Sequence, residues 1–166
     1  MQKVTLEPAL PTEVGEVLAV LDEAAAWLRR TGVVDQWPAR FRTGMVEPAI
    51  ERGETWLARR DGVVAGTITL DWDDPLWRDR DGVAGYVHRI AVRRNASGLG
   101  ALLLDWAVQT SRAWGCEFLR LDCAVTSRRL RSYYEARGFR HLDDVPVGKR
   151  TEDGPTVFMS RYELPL

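Results

Sequence analysis

The stretch "HRIAVRRNASGLGALLLDWA", residues 88–107, decides the fold. An apolar strand-like run breaks at Arg93–Arg94 into a turn carrying Asn95, Ser97, Gly98 and Gly100, and an amphipathic helical pattern follows. Such a turn aims the free N–H groups of Gly98, Leu99, Gly100 and Ala101 outward at a helix N-terminus, with the helix dipole behind them, and so binds phosphate. Two familiar phosphate motifs fail here. A P-loop needs Lys followed by Ser or Thr after its last glycine, whereas Gly100 is followed by Ala101 and Leu102. A dinucleotide fingerprint G-x-G-x-x-G would use Gly98 and Gly100 but meets Leu103 at its third glycine. Asp122, about 20 residues on, is its one supporting feature.

Outward from this turn, the chain alternates between two periods. Residues 3–8 read as a short strand ended by Pro8, and Thr12–Arg30 as a helix with Thr12 as N-cap and Gly32 just past its end. A shorter helix over Thr43–Arg52 is closed by Gly53. "TWLARR", the Asp61–Gly62 pair and "VVAGTITL" form a hairpin, because Asp-Gly supplies the positive φ angles of tight turns. A polar and aromatic loop, or a longer hairpin connection, "DWDDPLWRDRDG", leads into a strand at 83–92. Then come a helix over Gly98–Trp114, the strand "EFLRLDCAV", a helix over Ser127–Arg137, and strands at Phe139–Val145 and Thr156–Leu164. The order β-α-α-β-β-β-α-β-α-β-β predicts one α/β domain over residues 1–166. It is a mixed, mostly antiparallel sheet of six to seven strands flanked by about four helices.

Composition agrees with a globular chain: 45% hydrophobic residues, seven Trp and a net charge of −1. A pI near 6.1 offers no general attraction to nucleic acid or anionic lipid. The N-terminal stretch lacks the apolar core of a signal peptide, and no run approaches the roughly 20 apolar residues of a membrane span, so a cytoplasmic location is expected. Cys116 and Cys123, without a CxxC or clustered His, give no support to a disulfide framework or a metal site.

The turn resembles the pyrophosphate loop of the GNAT superfamily of N-acetyltransferases, [QR]-x-x-G-x-[GA] between a strand and a helix. In "NASGLG", Asn95, Gly98 and Gly100 fit this spacing, with Asn where Gln or Arg is usual. The loop is about two residues shorter than the commonest version, and without that gap Ser97 falls at the [QR] position. A second stretch, "SRRLRSYYEARGF" at 127–139, resembles the family's N-x-x-a-x-x-x-Y-[EK]-x-x-G-[FY]. Ser127 stands in place of Asn, and Leu130, Tyr134, Glu135, Gly138 and Phe139 are in register. The two motifs and the order of elements carry the resemblance over roughly residues 54–145.

The resemblance implies the GNAT fold, acetyl-CoA as acetyl donor, and direct transfer of the acetyl group to a primary amine of a small molecule or peptide. It also implies that the backbone of Ile90, Ala91 and Val92 holds the pantetheine and acetyl group, and that Ser97 to Ala101, with Arg94, Asn95 and Ser127, belong to the cofactor site. Tyr134 matches the position of the general acid that protonates the departing thiolate, with its neighbour Tyr133 as the alternative. The amine needs a base. His88 lies two residues before Ile90, so strict strand alternation would put both side chains on one face, and its ordinary pKa suits a base or water relay. Many relatives use a glutamate or an ordered water instead.

Asp71, Asp73 and Asp74 in "DWDDP" are candidates to receive a cationic amine at the mouth of the site. Trp37 and Trp72, both in irregular segments, are candidates to line an acceptor pocket. No metal, nucleic acid or membrane is expected, and a homodimer is the common default. The rival readings are a toxin-type relative that acetylates aminoacyl-tRNA and a CoA-binding sensor without turnover.

Overall fold

The computed structural model describes residues 2–166. Seven strands form one sheet in the order β1-β2-β3-β4-β5-β7-β6, from β1 (Val4–Pro8), β2 (Thr55–Arg60), β3 (Val63–Asp71), β4 (Ala84–Val92), β5 (Phe118–Ala124), β6 (Arg140–Lys149) and β7 (Thr156–Pro165). Only the β4–β5 pair is parallel; the other pairs are antiparallel. Four helices cover the sheet: α1 (Val14–Arg30), α2 (Thr43–Glu51), α3 (Leu99–Ala113) and α4 (Arg128–Ala136).

The helices divide between the two faces as the apolar positions dictate. Val17, Val20, Leu21 and Ala25 of α1 and Val46 and Ile50 of α2 bury against Leu57 and Ala91 on one face. Leu99, Leu103, Leu104 and Ala107 of α3 and Tyr134 of α4 bury against Ile68, Leu70, Val87, Leu119 and Leu121 on the other. Gly66 makes the second contact possible. A Cβ there would meet the Ala91 carbonyl at 3.1 Å, Leu99 Cδ2 at 3.1 Å and Val92 Cγ1 at 3.2 Å, so a side chain would push α3 off β3 and β4.

The Asp61–Gly62 turn has φ values of +52° and +83°, as the hairpin reading requires. Two boundaries differ from expectation. Thr12 sits inside a short 3-10 turn, Pro11–Glu13, and does not cap α1. Pro11 starts that turn, and the Glu13 carboxylate reaches back to accept the Leu10 N–H at 3.0 Å. The N-cap position of α1 falls on Glu13, one residue later than the periodicity suggests and without a side-chain cap bond. β6 runs to Lys149, past the expected end at Val145, because it is an edge strand. There Pro146 and Gly148 are absorbed at a register shift, with the ladder to β7 continuing beyond them.

The 72–83 connection is a fixed structure. Trp77 is 1% exposed, and its ring lies beneath two buried guanidinium groups, Arg120 at 5.2 Å and Arg161 at 5.0 Å. Arg161 binds Asp79, Asp143 and the Leu76 carbonyl, and Arg120 binds Glu163, the Tyr86 hydroxyl and the Asp81 carbonyl. These bonds fix the loop that carries Asp74 toward the centre of the molecule.

Candidate active site

β4 and β5 pair only over Ala84–Tyr86 and Phe118–Arg120. Beyond Tyr86 the two parallel strands separate, so the β5-facing edge of residues 87–92 has no strand partner, while β3 still pairs with β4 as far as Val92. The gap is the floor of a cleft of about 1050 Å³. Its walls are Val87–Val92 of β4, Leu121 and Asp122 of β5, Leu130 and Tyr134 of α4, Trp27 of α1, residues from Gln36 to Arg42 between α1 and α2, Met45 of α2, and Lys149–Arg150 at the end of β6.

The α1–α2 connection closes over the gap because it is tied to the far side. The Gln36 side-chain oxygen accepts the Ala124 N–H at 2.6 Å, and Arg150 donates to the Asp35 and Gln36 carbonyls at 2.9 and 3.0 Å.

At the opposite end, Gly98 caps α3 with φ +81°, a left-handed conformation that favours glycine. The Gly98, Gly100 and Ala101 N–H groups precede the first intrahelical bond, Leu102 N–H to Gly98 C=O. The Leu99 N–H differs from expectation: it donates to the Ala96 carbonyl at 3.2 Å and is already satisfied. Asn95 and Ser97 are exposed in the turn, and the Ser97 carbonyl accepts from Arg60 at 3.0 Å. Arg94 lies 3.9 Å over the Trp27 ring, which Arg129 approaches at 4.9 Å from α4. Ser127 is buried at the start of α4, and its hydroxyl makes no cap bond.

Tyr134 and Tyr133 diverge. Tyr134 is buried and lines the cleft, with no hydrogen-bond partner for its hydroxyl among the described residues, and burial pushes its pKa above the ordinary tyrosine value. Tyr133 is 39% exposed and points toward Gly100, its hydroxyl 4.0 Å from where a Cβ of that residue would lie.

The strand alternation assumed for His88 does not hold. Thr67 pairs with Ala91 and Thr69 with His88, so three residues of β4 span two of β3 and the strand bulges at Arg89–Ile90. Directly opposed residues share a face, so His88 lies with Ala91 on the α1–α2 face, and Ile90 lies with Val87 on the other. Arg89, at the bulge, has φ +48°.

His88 Nε2 is 3.4 Å from both Asp71 Oδ2 and Asp74 Oδ2. Burial lowers its pKa below the ordinary value, against the pull of Asp74. His88, Arg89 and Asp74 also line a side pocket of about 270 Å³, with Asp71, Asp73 and Arg52. Burial and the neighbouring Glu54 raise Asp71 to about 7. Asp73 is exposed and 3.7 Å from Arg78. Of the three aspartates in "DWDDP", then, Asp74 alone reaches the main cleft, and Asp71 stands behind His88.

Trp37 lines the cleft, edge-on to Phe41 at 5.6 Å. Trp72 does not. It packs on Trp114 at 5.2 Å, because β3 ends at Asp71 and the next side chain turns toward the C-terminal end of α3. In the sequence Asp122 stood out only as the acidic residue of the failed dinucleotide fingerprint. It lies within β5, lines the cleft, and is raised to about 7 by burial and by Asp74. Among the described residues no group of His, Cys, Asp and Glu could hold a metal, no helix is long and apolar enough to cross a membrane, and both cysteines are free, Cys123 buried and Cys116 half-buried.

Residues 20–139 match the family model described as the acetyltransferase (GNAT) family. The chain is 31% identical over 147 residues to an uncharacterized N-acetyltransferase, YesJ, of Bacillus subtilis (strain 168), a match that covers 81% of each. A crystal structure of a GNAT-family acetyltransferase from Streptococcus agalactiae 2603 superposes with a TM-score of 0.78 at 18% identity, covering 98% of this chain and 95% of that one. A putative acetyltransferase of Salmonella typhimurium, solved with its cofactor acetyl-CoA, gives 0.68 at 15% identity, covering 98% and 94%. At these identities the two structures speak for the fold.

Proposed function

The chain belongs to the acetyltransferase (GNAT) family, and from that premise we propose that it transfers an acetyl group from acetyl-CoA directly to the primary amine of a small molecule. The observation that carries this reading is the split between β4 and β5, whose unpaired edge meets Tyr134 on one side and the His88–Asp74 pair on the other. The free edge at Ile90, Ala91 and Val92 suits an extended pantetheine arm paired by main chain. The unused N–H groups of Gly98, Gly100 and Ala101 suit its diphosphate, with Arg94 beside the turn. Acetyl-CoA supplies an activated thioester there.

The chain's own groups then meet the demands of acyl transfer. Tyr134, whose phenol is protonated at neutral pH and is pushed further from ionising by burial, donates its proton to the thiolate sulfur as that leaves. His88, its pKa lowered by burial, takes a proton from the bound ammonium, and the neutral amine so formed attacks the thioester carbonyl. The Asp74 carboxylate at Nε2 favours the tautomer with its hydrogen there, which leaves Nδ1 as the basic nitrogen, and it stabilises the imidazolium that forms. Asp74 and Asp122 lie in the same cleft to receive the incoming ammonium.

The test is incubation of the purified protein with acetyl-CoA and a panel of amines, following free thiol and product mass. Thiol release that depends on amine, with a product one acetyl group heavier, is expected. Tight acetyl-CoA binding without amine-dependent turnover would favour a sensor and overturn the reading.

A further inference from the structure

We propose that the acceptor is a free amino acid, held by its carboxylate on Arg89 while its amine lies at Asp74, Asp122 and His88; this rests on the acetyl transfer proposed above. Three observations carry it, and the first is how this chain treats its other buried arginines. Arg120 and Arg161 each bind three groups, carboxylates and carbonyls among them. Arg89 is half-buried, lines both the main cleft and the side pocket, and has no hydrogen bond or ion pair among the described residues. A guanidinium stays charged at any physiological pH and carries five donors in a fork that matches a carboxylate. Left half-buried and unpaired it is a cost that a bound anion removes.

The second observation is the backbone. Arg89 sits at φ +48°, where a side chain is strained, and among the described residues Asp61 is the only other non-glycine with positive φ. Asp61 occupies the first position of a hairpin turn, a place where Asp is at home. Glycine or asparagine would hold the bulge at Arg89 with less strain. The arginine side chain is therefore kept against the preference of the backbone, a pattern that points from a strained position to a functional one.

The third is the charge of the cleft wall on the acceptor side. Arg40, Arg42, Arg89, Lys149 and Arg150 face two carboxylates, Asp74 and Asp122. Arg150 is committed to the Asp35 and Gln36 carbonyls, whereas Arg40, Arg42 and Lys149 have no ion-pair partner among the described residues. A polyamine would be repelled by this wall, and a plain monoamine would leave Arg89 unpaired. A molecule with an ammonium and a carboxylate satisfies both signs, and His88 and Arg89 both line the main cleft and the side pocket, so base and carboxylate anchor share one cavity.

The experiment compares each proteinogenic amino acid with its own α-amide as acceptor, using wild type, Arg89→Asn and Arg89→Lys. Asn tolerates the left-handed backbone, so the fold is kept, and a melting curve checks this. The amide's amine is the more easily deprotonated of each pair, which biases the comparison against the proposal. Expected is a preference of at least tenfold in kcat/KM for one or more free acids over their amides. In Arg89→Asn the KM for the acid should rise about 10- to 100-fold with the amide little changed, and Arg89→Lys should recover part of the loss. Amides used as well as acids, or a preference that survives in Arg89→Asn, would overturn the proposal and leave acetyl transfer standing. Calorimetry with the amino acids and CoA separates the remaining cases. No turnover with any amine but Arg89-dependent binding of an amino acid would overturn acetyl transfer and support the carboxylate site. Neither turnover nor such binding would overturn both.

Discussion

Asp122→Asn isolates the most unusual charge in the cleft. Asp122 has no hydrogen-bond partner among the described residues, and burial, with the Asp74 carboxylate adding to it, raises its pKa from 3.8 to about 7. Between those two values the folded protein holds a proton that the unfolded chain has lost, so this group makes stability fall as pH rises through that window. A rise of about three units, at 1.36 kcal/mol per unit, amounts to about 4 kcal/mol. Contact with cleft water reduces this, and about 2–4 kcal/mol is expected. Asparagine has the shape of the protonated acid and cannot ionise. The variant should match wild type at pH about 4 and exceed it by about 2–4 kcal/mol above pH about 8, with the difference growing between. Asp71 titrates in the same window, raised to about 7 by burial and Glu54, so the wild-type slope alone would mix the two. The difference between variant and wild type separates them. Urea unfolding followed by tryptophan fluorescence at several pH values measures it. A difference that does not vary with pH, or an Asn variant less stable than wild type at pH about 8, would refute the reasoning, since either means the carboxylate is not ionised at a cost.

Three further substitutions test other links. If Tyr134 is the proton donor proposed above, Tyr134→Phe should lower kcat at least tenfold with acetyl-CoA affinity kept, measured by steady-state kinetics beside calorimetry. Gly85→Ala should destabilise by about 1–3 kcal/mol, since the added Cβ would lie 2.4 Å from Ser111 Oγ. Ser111 Oγ is buried without a partner, so Ser111→Ala alone should be neutral or stabilising, and the double variant should recover most of the Gly85→Ala loss in urea unfolding. Arg161→Met should cost about 2–4 kcal/mol by freeing the loop that carries Asp74. It should also let Asp79, held at about 2 chiefly by its hydrogen bond to Arg161, titrate nearer the ordinary carboxylate value, which carbon-detected NMR can follow.

The elements were legible because their signals are local. Period two and period 3.6 alternate cleanly along the chain, Asp61–Gly62 imposes its turn, and Gly32 and Gly53 have the positive φ of helix ends, +91° and +71°. The turn before α3 was legible for the same reason: a helix start with three unused N–H groups is written in seven consecutive residues, although Leu99 spends its N–H on Ala96. What the sequence hid depends on partners far along the chain. Trp37 and Trp72 look alike as tryptophans in irregular segments, yet one lines the cleft and the other finds Trp114 across 42 positions. Asp122 reads as an ordinary polar residue until the separation of β4 from β5 turns its neighbourhood into a cleft wall and brings Asp74 close.

The bulge in β4 shows why the site resisted a reading by period. A single extra residue at Arg89–Ile90 reverses the alternation, so the rule that put His88 with Ile90 holds on either side of the bulge and fails across it. The reversal is productive. Ile90 turns into the α3–α4 core, His88 turns to the α1–α2 face where Asp71 and Asp74 wait, and the β5-facing backbone of the same segment is left without a strand partner. One irregularity thus sets the unpaired edge and His88 on the same short stretch, facing different ways. No apolar pattern could announce it, because the residue that absorbs it is a polar one in a strained conformation, and a glycine at position 89 would have been the easier signal to read.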